Sequence, residues 1–142
     1  MLRSKKGFTL VEIMIVVAII VLLAAIAIPN LLRARLSANE ATAIAAMRTL
    51  STAMESYRAA QSPPAYPNAL AALNASNPPY IDSVLASGNK SGYTFSDPTP
   101  GGNTYGITAN PQTANVTGVR SFFVDQSGVV RVGSSANGTP IE

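Results

Sequence analysis

Glu12 is the only charged side chain in a long apolar run. Every residue from Ile13 to Ile28 is apolar, and Phe8 to Val11 carry no charge. A charge at the bilayer centre costs about 2.5–3.5 kcal/mol on insertion scales, and less near an end. Membrane insertion has no need of this carboxylate. Its chemistry is therefore ionic pairing, and the question is which cation it meets. Reactive groups are scarce elsewhere. The chain has no histidine and no cysteine, so disulfides and cysteine-based metal sites are excluded. Serines are plentiful, but no base accompanies them in a recognisable motif. Lys90 is the only lysine after Lys6, and Asp82, Asp97 and Asp125 are isolated in sequence. They lack the spacing of a paired-carboxylate site or a metal loop. No catalytic residue, metal site or cofactor is expected, and the protein is not read as an enzyme. A calcium site built from loop oxygens of Asp97-Pro98-Thr99-Pro100-Gly101-Gly102 is the alternative to check.

The formal charge of +3 invites a nucleic-acid reading, which its distribution removes. Arg3, Lys5 and Lys6 precede Gly7. Seven cations follow (Arg33, Arg35, Arg48, Arg58, Lys90, Arg120, Arg131), and seven acids offset them (Glu12, Glu40, Glu55, Asp82, Asp97, Asp125, Glu142). No basic patch with interleaved aromatics follows the leader, so specific nucleic-acid binding by a single subunit is not expected.

The element that must position Glu12 is a long helix. Phe8 to Ile28 is 21 residues, about 31 Å of helix at 1.5 Å per residue, which matches a bilayer's hydrocarbon thickness. A secretory signal peptide has a shorter apolar core with a cleavage site after it. Here Lys5-Lys6-Gly7 lies before the run, so cleavage there would retain the helix. Three cations before the run against Arg33 and Arg35 after it favour a cytoplasmic N-terminus by one residue.

Pro29 ends the apolar run but not the helical pattern. Leu36, Ala43, Ile44, Met47, Leu50, Met54 and Tyr57 recur at helical spacings, with Glu40 on the same stripe and Arg48, Ser51, Thr52, Glu55 and Arg58 mostly elsewhere. One helix from about Phe8 to Gln61 is expected, with a weak point at Pro29 and a stop at Ser62-Pro63-Pro64. Asn68 to Leu73 reads as a helical turn capped by Asn68, and Ile81 to Ala86 as another. Tyr93–Phe95, Thr104–Ala109, Arg120–Val124 and Val129–Val132 read as four short strands, with a tight turn at Asp125-Gln126-Ser127-Gly128. The fold class is α+β. The second half of the helix covers a small four-stranded antiparallel sheet, while the first half has nothing in the chain to pack on. It must be buried in lipid or in copies of itself.

Lys5-Lys6-Gly7-Phe8-Thr9-Leu10-Val11-Glu12, leading into an apolar helix with Pro29, resembles the type III signal sequence of type IV pilins and type II secretion pseudopilins. Ile81–Phe95 and Ser121–Arg131 also look like the globular part of cysteine-free pilins. The resemblance implies a layout of leader 1–7, transmembrane and polymerisation helix 8–29, amphipathic half 30–61 and globular head 62–142. It implies cleavage between Gly7 and Phe8 by a membrane peptidase that also methylates the new amine of Phe8. Phe8 would then carry a cation one turn from Glu12. In a filament that amine would face the Glu12 of a neighbouring copy and pin its register, because an unpaired charge in a low-dielectric bundle is costly. Pro29 would mark where the helix melts or bends on leaving lipid. Ala24, Ala25 and Ala27 would allow close helix packing.

The implied partners are copies of the same chain in a helical homopolymer, the prepilin peptidase/N-methyltransferase, an inner-membrane assembly platform, and membrane lipid before assembly. The implied location is the bacterial inner membrane first and an extracellular pilus afterwards, serving adhesion, twitching motility or DNA uptake. The alternative is a major pseudopilin in a periplasmic filament. Such proteins typically carry an Asp-Pro-Trp-Gly-type turn and an acidic calcium loop. The chain has Asp97-Pro98 and Tyr105, but no tryptophan and no acidic cluster after Asp125. A third alternative is a membrane-anchored binding domain that never polymerises.

Overall fold

The structure is a computed structural model that describes residues 7–99, 101 and 103–141. The leader residues 1–6, together with Pro100 and Gly102 of the calcium-loop alternative, lie outside the described residues. Helix α1 spans Leu10–Ala60 and remains helical through Pro29. Proline supplies no N–H to the preceding turn. The carbonyl that loses its donor is that of Ala25, while the Asn30 side chain donates to the neighbouring Ile26 carbonyl at 3.1 Å. By contacts the chain forms two units, one ending at Ala34 and one beginning at Arg35.

In the first unit, every large apolar residue from Phe8 to Leu32 is more than half exposed. Its mean hydropathy reaches 3.2 over an 18-residue window, none of which is buried.

In the second unit, α1 buries Ala43, Ala46, Met47, Leu50, Ala53 and Met54. These meet Leu70, Leu73 and Leu85 from two short helices, α2 (Leu70–Asn74) and α3 (Ser83–Ala86). They also meet Tyr93, Phe95, Ile107, Phe122 and Val124 from the sheet. The sheet is an antiparallel meander of six strands in sequence order. These are β1 (Asn89–Lys90), β2 (Tyr93–Phe95), β3 (Gly106–Pro111), β4 (Phe122–Asp125), β5 (Arg131–Val132) and β6 (Thr139–Pro140).

Six strands replace the four expected. The extra pair, β1 and β6, are two-residue edges with no hydrophobic alternation to announce them. β1 exists because Ser91 and Gly92 both take positive φ (50° and 74°) and close a two-residue hairpin onto Tyr93. The turn at Asp125–Gly128 forms as expected, with the Gly128 amide donating to the Asp125 carbonyl at 2.9 Å.

Two local expectations are corrected. Asn68 does not cap α2, whose N-cap position is Ala69 with no side-chain bond. The Leu70 amide donates instead to Asp97 Oδ1 at 2.9 Å, so the cap comes from a loop 27 residues away. Ser51 does not fall away from the buried stripe. It is buried and accepts a hydrogen bond from the Tyr105 hydroxyl at 3.1 Å.

Candidate functional site

Gly7 is a glycine that nothing among the described residues requires, since a Cβ built there would meet no atom within 4 Å. Phe8, next to it, is 87% exposed. Thr9 then starts α1 with a capping box. The Glu12 amide donates to Thr9 Oγ1 at 3.3 Å, and the Thr9 amide donates back to Glu12 Oε2 at 2.7 Å. The Thr9 hydroxyl adds a bond to the same oxygen at 2.8 Å. Two amide donors at the helix start are thereby satisfied reciprocally. Glu12 is thus not idle in the single chain, as its place in an apolar run first implied. Among the described residues it gains hydrogen bonds but no countercharge, because Thr9 is neutral. Both bonds fall on Oε2, and no described residue bonds Oε1. The signal was present in the sequence, since Thr-x-x-Glu before an apolar run is a capping-box pattern.

A second acid on α1 works inside the head. Glu40 is buried, and its Oε1 accepts the amides of Val119 and Arg120 at 3.0 and 3.1 Å. Its Oε2 accepts the Arg120 guanidinium at 2.8 Å. Burial pushes the Glu40 carboxyl up. The Val119 amide and Arg120 outweigh that and hold it below its ordinary value. Asn39 adds a bond from its side-chain amide to the Thr117 carbonyl at 2.9 Å. Tyr93 donates to the Arg120 carbonyl at 2.8 Å. The β3–β4 loop is therefore strapped to α1 at consecutive residues. Glu40 was visible in the sequence only as an acid on an apolar stripe. Its partner, 80 residues on, carried no local signal.

The remaining expected residues fall apart in space. Asp97 caps α2, Asp82 pairs with Lys90 at 2.7 Å, and Asp125 pairs with Arg131 at 3.2 Å. No group of three potential metal ligands occurs among the described residues. In the Asp97 loop, the one carboxylate is directed at a backbone amide.

The geometry is thus a capped, acid-bearing apolar helix ahead of a small α+β head. Residues 2–28 match the family described as the prokaryotic N-terminal methylation motif. The chain is 47% identical over 57 residues to the type IV wide pilus major component PilA4 of Thermus thermophilus, a match covering 40% of this chain and 44% of that one. It is 48% identical over 52 residues to the type IV major pilin protein PilA of Myxococcus xanthus, covering 37% of this chain and 24% of that one. The type II secretion system core protein G of Escherichia coli is 33% identical over 110 residues, 76% of this chain and 74% of that one. No solved structure matches the chain. The chain belongs to the family of type IV pilins and type II secretion pseudopilins, whose members are structural subunits rather than enzymes.

Proposed function

We propose that the chain is the structural subunit of a type IV pilus, cut between Gly7 and Phe8, methylated on Phe8 and assembled through its N-terminal helix. The observation that carries this reading is the run from Phe8 to Leu32, which the described chain leaves uncovered. Burying one large aliphatic side chain is worth about 1.5–3 kcal/mol, so the run holds tens of kcal/mol that water cannot satisfy. Lipid satisfies it before assembly, and copies of the same helix satisfy it afterwards.

Glu12 then has two tasks on two oxygens. Oε2 holds the helix start through Thr9, and Oε1 is free for the Phe8 amine of a neighbouring copy. A subunit in the wrong register would leave that charge unpaired in a low-dielectric core. Pro29 is where the helix yields as the subunit leaves the inner membrane, because the Ala25 carbonyl has lost its usual backbone donor. In this reading the precursor has a cytoplasmic N-terminus, meets the peptidase/N-methyltransferase and the assembly platform there, and ends in an extracellular filament used for adhesion, twitching motility or DNA uptake.

A second reading, a major pseudopilin of a type II secretion system, is favoured by one observation. The Escherichia coli secretion protein matches across the head as well as the helix, whereas the two pilin matches cover less than half of this chain. Imaging cells that lack the protein separates the two, since loss of long surface fibres supports the pilus and their persistence supports the pseudopilus.

The native N-terminus tests the reading by mass spectrometry. An N-methylated Phe8 is expected, and an unprocessed Met1 would instead support a membrane-anchored protein that never polymerises. Glu12→Ala is expected to be processed normally yet to yield few filaments. Normal filament yield from that variant would remove the pairing role.

A further inference from the structure

On the head, Thr108 and Phe123 are cross-strand partners on β3 and β4. They alternate with Ile107, Ala109, Phe122 and Val124, all of which are buried in the core. Both therefore face away from α1. They line a cleft of about 600 Å³ together with Ser96, Asp125, Gln126 and Ser134. That volume falls within the ~300–1,000 Å³ range of small-molecule sites. The half-buried Phe123 ring lies across Gly106, where a Cβ would come within 3.1 Å of it. Glycine is what lets the ring rest on the sheet.

The polar groups of the cleft have capacity to spare. Ser96 Oγ accepts the Thr108 amide at 3.0 Å, which leaves its own proton to donate. Among the described residues, the Thr108 hydroxyl, the Gln126 side-chain amide and the Ser134 hydroxyl form no hydrogen bond. Asp125 is different, because Ser127 occupies one oxygen and Arg131 the other. Its charge is answered inside the chain.

This lining selects a ligand class by exclusion. A phosphate or sulfate would want an uncommitted cation, and none lines the cleft. A metal ion or organic cation would want a free carboxylate, and Asp125 is committed. A lipid tail would want a continuous apolar wall, and here the Phe123 and Tyr105 rings share the lining with Ser96, Thr108, Gln126 and Ser134. What remains is a neutral molecule with a C–H face for the ring and hydroxyls to exchange hydrogen bonds with Ser96, Thr108, Gln126 and Ser134. We propose that this outer sheet face binds a neutral saccharide. An open cleft of this kind binds weakly as a single site. Repetition along a filament would raise the avidity without any new contact. Only that amplification rests on the pilus reading; binding by one subunit does not.

The test uses the full chain in phosphocholine micelles, which contain no sugar headgroup, followed by amide NMR. Lactose, maltotriose and chitotriose are titrated separately, with a glycine–serine peptide as the polar control. At least one saccharide should give saturable shifts at Ser96, Thr108, Phe123, Gln126 and Ser134, with none from the peptide. Those shifts should be lost in Phe123→Ala. They should also be lost in Ser134→Trp, which fills the cleft from an exposed position without touching the core. Absence of saturable shifts with all three saccharides would overturn the proposal. So would equal shifts with the peptide, or shifts that survive Ser134→Trp. The outcome is independent of polymerisation, so its failure cannot be confused with failure of the pilus reading.

Discussion

Thr9 and Glu12 form one short pattern that serves folding and, in the proposed filament, assembly. The capping box fixes the carboxylate one turn into the helix and leaves Oε1 exposed. Thr9→Val should cost the helix start about 1 kcal/mol, a typical loss for a missing N-cap. Faster hydrogen exchange at the Glu12 amide would report it. Thr9→Ser should restore protection, because a serine hydroxyl caps equally well. Gly118 makes a different demand. A Cβ there would overlap the Tyr93 ring beneath it, so Gly118→Ala should lower head stability by about 1–3 kcal/mol, the usual cost of overpacking. Thermal unfolding would measure that loss.

Among the elements, α1 was largely legible. Its apolar run, its amphipathic stripe and its stop before Pro63 follow from side-chain period and composition. Tyr93–Phe95 was legible as a strand for its aromatic and β-branched content. β1 and β6 were not, since two-residue edge strands are made by turns and neighbours rather than by their own side chains. The cap on α2 was equally hidden, because its acceptor, Asp97, is local in space and remote in sequence. The strap between α1 and the β3–β4 loop belongs to this scale too. Glu40→Gln should weaken it by about 1–3 kcal/mol, since buried donors lose a charged acceptor. Acid should act in the same direction. Glu40 and Asp125 are held below their ordinary values of 4.5 and 3.8; burial opposes this in each case, but their hydrogen bonds and arginine partners win. A lowered folded-state pKa adds stability that is complete above the ordinary value and is lost as pH falls through the folded one. Unfolding midpoints should therefore drop below about pH 4, and less so in Glu40→Gln, which has lost that titration.

At the scale of the whole molecule, the head is a self-sufficient core and the first stretch of α1 is not. The head also predicts an alkaline limit. Burial pushes the Tyr93 and Tyr105 hydroxyls up to about 12 from an ordinary value of 10.0. A raised pKa gives stability that is full below the ordinary value and lost as pH rises through the folded one. Head unfolding should therefore accompany tyrosinate absorbance between pH 10 and about 12. In the proposed filament the N-terminal stretch gains its burial from lipid or from copies, and its acid gains a countercharge from a second chain. Solid-state NMR on mixed-label filaments tests that claim most directly. Subunits carrying ¹⁵N only at the Phe8 amine would be co-assembled with subunits carrying ¹³C only at the Glu12 carboxylate. Magnetisation transfer between the two labels, which requires an approach of about 4–6 Å of the kind that couples opposite charges, is the predicted result. Filaments that form normally but show no transfer between copies would contradict it.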